Sequence, residues 1–159
     1  MVFGPKWDKY NLTPWVYDVK RNTWSNKLTP DGKTLPPLPK VTIIGRSVLI
    51  ENKVYLFTGG QVLILDLSTL EEWKDVKLDE TFKSYPIVVP FSPTEVAIFG
   101  RKVGFTNHNK ICIFDSKIEL SRRLKPQTDV SEVDTLHSAV VVSGQLAFAQ
   151  QLTGNKNIV

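Results

Sequence analysis

Short apolar runs separated by polar turn residues dominate this chain. VTIIG, SVLIE, KVYLFT, VLILDL, YPIVVPF, EVAIFG, KICIFD, SAVVV and QLAFAQ are rich in β-branched and aromatic residues, and Gly, Pro, Asn, Ser and Thr stand between them. Such runs predict strands. VYLF, VLIL and AIF are nearly continuous rather than alternating, which predicts burial on both faces. Sheets covered on both sides must stack face to face, as a sandwich or as propeller blades. One stretch competes with this reading. STLEEWKDVKLDETFK, residues 68–83, carries Leu70, Trp73, Val76 and Leu78 at spacings that fit a helix in part, and its start fits a tight turn between strands equally well. The class is all-β.

The runs recur. SVLIENKVYLFTGG (47–60) matches SAVVVSGQLAFAQQ (138–151) without a gap, with Phe57 opposite Phe148. IVVPFSPTEVAIFG (87–100) repeats the pattern with a longer turn, and Phe99 is the equivalent residue. A second series follows: WVYDVKRNTW, LILDLSTLEEW and ICIFDSKIELSRRL. Each is a strand ending in Asp (Asp18, Asp66, Asp115), a polar turn, then a bulky apolar residue (Trp24, Trp73, Leu124). The aspartates lie 48 and 49 residues apart. An Asp at a strand end accepts hydrogen bonds from nearby backbone amides and holds a turn. The following Trp is expected to fill space between stacked sheets.

The unit of four antiparallel strands in about 48 residues resembles the Kelch repeat of the galactose-oxidase-like superfamily. The matching residues are Tyr55-Leu56-Phe57 before Gly59-Gly60, Tyr17-Asp18 with Asn22-Thr23-Trp24, Asp66 with Trp73, and His137-Ser138. The resemblance implies a partial β-propeller of four-stranded antiparallel blades. It also implies a sharp turn at Gly59-Gly60, where glycine reaches positive φ without a Cβ clash and permits close backbone approach. The second full repeat departs from the pattern, with Gly100 alone and no Trp; the last has no glycine after Phe148. A phosphate-cradling loop at Gly59-Gly60 would need a following helix and a Lys or third glycine, which the sequence does not offer.

The blades map to a half blade at 10–30, a full blade at 41–80, a degenerate full blade at 84–126 and a half blade at 135–159, within one domain over 1–159. NKNIV (155–159) aligns with the start of NKICIFD. Propellers close with about four to eight blades. An incomplete propeller is therefore expected: a fragment of a longer chain, a truncated product, or a portion that self-associates.

Length and composition fit one globular domain, with 159 residues of which 42% are apolar. The net charge of +4 is dispersed. Its densest basic spot, Arg122-Arg123 with Lys125, falls short of a nucleic-acid stripe. No apolar run approaches the ~20 residues of a membrane helix. MVFGPKWDKYNL has no secretory pattern, and Cys112 is the single cysteine. These features predict a soluble cytoplasmic protein without a nucleic-acid or membrane partner.

Candidate chemistry is sparse. Cys112, His108 and His137 fall short of a zinc set, and Cys112 reads as a buried thiol. The resemblance extends poorly to the copper oxidase among Kelch-like propellers, which needs several Tyr, His and Cys ligands. Ser92 and Ser138 lack the glycine-flanked elbow of a nucleophile. Glu71-Glu72 falls in a turn, and no acid–base couple stands out. No metal, cofactor or catalytic residue is expected. LPPLP (35–39) suits a polyproline ligand or, better, a link between blades. The loop RKVGFTNHNK (101–110) offers contact material in Arg101, Lys102, Phe105, Asn107 and His108, with Arg46 and Gln61 next in line. The favoured function is a non-catalytic module binding another protein through blade loops. The alternatives are a fragment of a Kelch-like enzyme and an assembly piece that completes a propeller with another copy or chain.

Overall fold

A computed structural model describes residues 16–25, 32–39, 46–82, 86–101, 109–124, 136–142 and 145–150. They form strands and turns, with no helix among the described residues. Sheet I pairs β1 (Val16–Asp18) with β2 (Thr23–Ser25). Sheet II comprises β3 (Ser47–Ile50), β4 (Lys53–Phe57), β5 (Gln61–Asp66) and β6 (Lys74–Lys77). Sheet III comprises β7 (Ile87–Pro90), β8 (Glu95–Arg101), β9 (Asn109–Asp115) and β10 (Leu120–Leu124). Sheet IV pairs β11 (Leu136–Val142) with β12 (Gln145–Gln150). Strands within each sheet are antiparallel and follow chain order, so every connection inside a sheet is a hairpin.

The continuous apolar runs give sheets II and III two buried faces. In sheet II, Tyr55 and Phe57 pair with Ile64 and Val62 on one face, and Val54 and Leu56 pair with Leu65 and Leu63 on the other. The first face packs on sheet III, forming one core from Tyr55, Phe57, Val62, Ile64, Val96, Ile98, Cys112 and Phe114. The Phe114 ring meets Phe57 edge-on, with centroids 5.7 Å apart. On the far side of sheet II, Leu35 packs with Val54 and Leu65, and Trp73 lies against them.

Sheet III repeats the arrangement. Glu95 pairs with Asp115 as Lys53 pairs with Asp66, so Phe99 occupies the register place of Phe57. Phe57 faces sheet III; Phe99 joins Val89, Ala97 and Ile113 in a core that Val141 of sheet IV packs against. The first strands of these sheets are also neighbours: β7 lies against β3 and against β11.

The three aspartate turns share one geometry. Asp18 Oδ1 accepts the amides of Lys20 (2.9 Å) and Arg21 (3.1 Å). Asp66 Oδ1 accepts the Ser68 amide (2.8 Å) and hydroxyl, and Asp115 Oδ1 accepts the Lys117 amide (2.8 Å). Four residues after each Asp the backbone turns left-handed, at Asn22 (φ 53°), Leu70 (φ 55°) and Glu119 (φ 53°). The side chain thus caps amides that have no ladder partner while the backbone reverses. The same turn replaces the helical alternative over residues 68–82: Leu70 N–H donates to the Asp66 carbonyl (2.9 Å), and the chain continues into β6.

Three finer expectations are corrected. First, Gly59 and Gly60 are not left-handed; among the described glycines positive φ belongs to Gly32 (φ 87°). Second, Phe114 pairs with Ser121 as Tyr17 pairs with Trp24, so Ser121, not Leu124, holds the tryptophan place in sheet III. Third, Gln145 pairs with Val142, two residues lying between them, as Lys53 pairs with Ile50. Phe148 therefore falls at the register place of Leu56, one short of Phe57.

Candidate functional site

Antiparallel order puts the start of β3, the turn between β4 and β5, and the end of β8 at one end of the stack. That end holds the described members of the candidate contact set. Arg46 is exposed, and its carbonyl accepts the Phe57 amide at 2.9 Å. Gln61 is half-buried and closes the hairpin, its carbonyl accepting the Thr58 amide at 2.9 Å. The Thr58 hydroxyl donates to the same carbonyl at 3.0 Å and accepts the Gln61 amide at 3.3 Å. Arg101 pairs with Asn109 at the mouth of the following loop. Lys102, Phe105, Asn107 and His108 lie outside the described residues, as does their loop, 102–108.

The glycine pair builds this end through its carbonyls. Gly60 C=O accepts the Leu78 amide at 3.0 Å and Gly59 C=O accepts the Phe82 amide at 2.5 Å. The segment leaving sheet II is thereby laid across the hairpin tip, which is the close backbone approach expected of this turn. Phe82 is fully buried and presses on Gly100 of β8. A Cβ built at Gly100 would lie 2.8 Å from Phe82 Cδ1, so a side chain there would force the Phe82 ring to shift. The three positions on sheets II and III therefore rest on a fixed platform.

A charged seam runs between sheets II and III from the opposite end towards the segment 78–82, and sequence inspection missed it because its members are far apart in the chain. Glu119, in the β9–β10 turn, pairs with Lys74 of β6 and approaches Lys53 of β4 at 4.0 Å, tying sheet III to sheet II. Arg122 pairs with Glu95 at 3.0 Å and Arg123 with the buried Glu80 at 3.4 Å. The Ser121 hydroxyl accepts the Asp79 amide at 2.8 Å. Both arginines of the basic spot are thus engaged with carboxylates of their own chain.

Burial decides the remaining chemistry. Desolvation pushes the Cys112 thiol up, with the Ser121 hydrogen bond opposing it. Desolvation likewise pushes the Tyr55 hydroxyl up. The Ser68 side chain, followed by its amide, holds Asp66 below the ordinary carboxylate value. Among the described residues no three His, Cys, Asp or Glu side chains come together as metal ligands would. No described helix is long and apolar enough to cross a membrane. LPPLP is partly engaged: Leu35 is buried, and the Pro36 carbonyl accepts the Trp73 indole N–H at 3.1 Å. Trp73 thus works on the outer face of sheet II, whereas Trp24 stacks beside Tyr17 and is 54% exposed.

No protein family's sequence profile matches this chain, and no curated protein is significantly similar to it.

Proposed function

We propose that the chain is a portion of a β-propeller with Kelch-like blades, acting as a non-catalytic module that binds another protein. The reading rests on one observation: β7 lies between β3 and β11, the first strands of three successive sheets. First strands gathered side by side are what a radial stack requires, because blades converge towards a common axis. The repeated aspartate turns and the common register of Phe57 and Phe99 support the same reading. Fold alone carries no function, so the binding proposal rests on the edge. There Arg46, Gln61 and Arg101 stand at the ends of strands held by the Gly59–Phe82–Gly100 contact, and loops on a rigid scaffold are effective contact surfaces.

Site-specific photocrosslinking in cells tests the binding edge. A benzophenone side chain at position 46, 61 or 101 should give the same protein adduct, and one at Lys117, at the opposite end, should not. Adducts only from Lys117, or none from any position, would overturn the proposal.

A further inference from the structure

The segment KTLPPLP (33–39) has the composition of a polyproline ligand. Pro36, Pro37 and Pro39 fix their own φ at about −65°, and Leu35, Pro36 and Leu38 each precede a proline and are pressed into extended backbone. These constraints favour a polyproline II helix, three residues to a turn. Burial follows that period. Thr34 and Pro37 are exposed, Leu35 is buried with Leu38 half-buried, and Pro36 is half-buried with Pro39 exposed. Leu35 packs against Val54 and Leu65 on the outer face of sheet II, and the Trp73 indole N–H donates to the Pro36 carbonyl at 3.1 Å. An aromatic-lined groove is also what polyproline-binding domains offer such a segment.

We infer that residues 33–39 are the ligand of an SH3-type domain, held face-down on sheet II and bound when the segment lifts. Pro36 and Pro39 have the PxxP spacing, and the Leu35-Pro36 and Leu38-Pro39 pairs supply the two edges that such a groove takes. Thr34 and Pro37 lie on the remaining edge, the one that sheet II leaves exposed. Sheet II and the partner therefore compete for the same face of the helix. Lys33 stands three residues before Pro36, where a carboxylate of the partner's groove can pair with it, and this basic residue favours an SH3 domain over a WW domain. The contact is separate from the edge at Arg46, Gln61 and Arg101. The apparent affinity is the intrinsic affinity reduced by the fraction of chains whose segment has lifted.

Titration calorimetry with a recombinant SH3 domain that prefers a basic residue ahead of PxxP tests this. The synthetic peptide KTLPPLPK (33–40) should bind it. A peptide carrying Lys33→Glu should bind about tenfold more weakly or worse, because a charge-assisted pair becomes a repulsion. The whole chain should bind about tenfold to a hundredfold more weakly than the free peptide, since its lifted state is minor. Trp73→Phe keeps a ring but loses the hydrogen bond, and should narrow that gap about threefold to tenfold. In the unaltered chain the Trp73 indole N–H signal in NMR spectra should move as the SH3 domain saturates it, a readout that needs no variant to fold. A peptide that fails to bind, binds as well with glutamate, or binds a WW domain more tightly would overturn the ligand. A chain that binds as tightly as the peptide with the Trp73 signal unmoved, or a gap that Trp73→Phe leaves unchanged, would overturn the face-down placement.

Discussion

Phe82 sits directly on Gly100: its Cδ1 occupies the space, 2.8 Å away, where a side chain at position 100 would begin. Phe82 follows β6 of sheet II, and Gly100 lies in β8 of sheet III. Their contact turns the connection between two sheets into part of the core. The Phe82 amide is held by the Gly59 carbonyl at the same time. One residue thus fixes the exit of one sheet against the middle of the next.

Gly100→Ala should destabilise the fold by about 1–3 kcal/mol, the usual cost of forcing an extra carbon into a packed core. Gly60→Ala is the contrast. A Cβ there meets Thr81 Oγ1 at 3.4 Å, an ordinary contact, and the backbone is not left-handed. That change should be neutral or stabilising by up to about 1 kcal/mol, through the unfolded chain. Urea titration of both variants checks the pair. Equal losses would show that Gly100 is no more stringent than Gly60.

Phe82→Ala should cost about 3–5 kcal/mol, as large-to-small changes at buried aromatics do. That is much of the total stability of an ordinary domain. Calorimetry should show a lowered Tm, and hydrogen exchange should rise at the amides of Leu78 and Phe82. A loss near zero would mean that the ring does not bridge the sheets.

Asp66 makes stability depend on acid. Its folded value lies below the ordinary 3.8, chiefly through the Ser68 side chain. Its contribution is therefore fully present above the unfolded value and is lost as pH falls from about 4 through the lower folded value. Asp66→Asn should flatten this acid limb in denaturation curves measured between about pH 2 and 5. An unchanged slope would remove Asp66 from the turn's energetics.

Cys112 gives the alkaline counterpart. Its thiol is buried and pushed above the ordinary 9.0 by desolvation. The unfolded thiol ionises first, so the contribution is present below 9.0 and is lost as pH rises from there through the folded value. Native protein at pH 8 should resist alkylation, and modification should follow unfolding in denaturant. Rapid native labelling would contradict the packing of Cys112 between sheets II and III.

Local chemistry was legible in the chain and spatial partnership was not. The short, nearly continuous apolar runs located the strands of sheets II and III, because burial on both faces leaves its mark in the sequence. Asp18, Asp66 and Asp115 announced their turns, since an Asx turn is made within a few residues. Gly59-Gly60 was legible as a close approach but not for its φ, which depends on the turn the backbone selects. Phe148 misled because an ungapped match cannot see a hairpin that turns one residue later, and one residue exchanges faces. Phe82 stood alone in a polar stretch, and Glu119 finds Lys53 and Lys74 only through folding. The one available hint was a lone aromatic between two strand groups.

A crystal structure of the whole chain would decide between a radial stack and a closed sandwich. A radial stack places β3, β7 and β11 side by side around one axis, each leading its own sheet, with sheets II, III and IV rotated successively about it, and this is the expected result. Two sheets closed into a single sandwich, with β3 and β11 in the same layer, would contradict it.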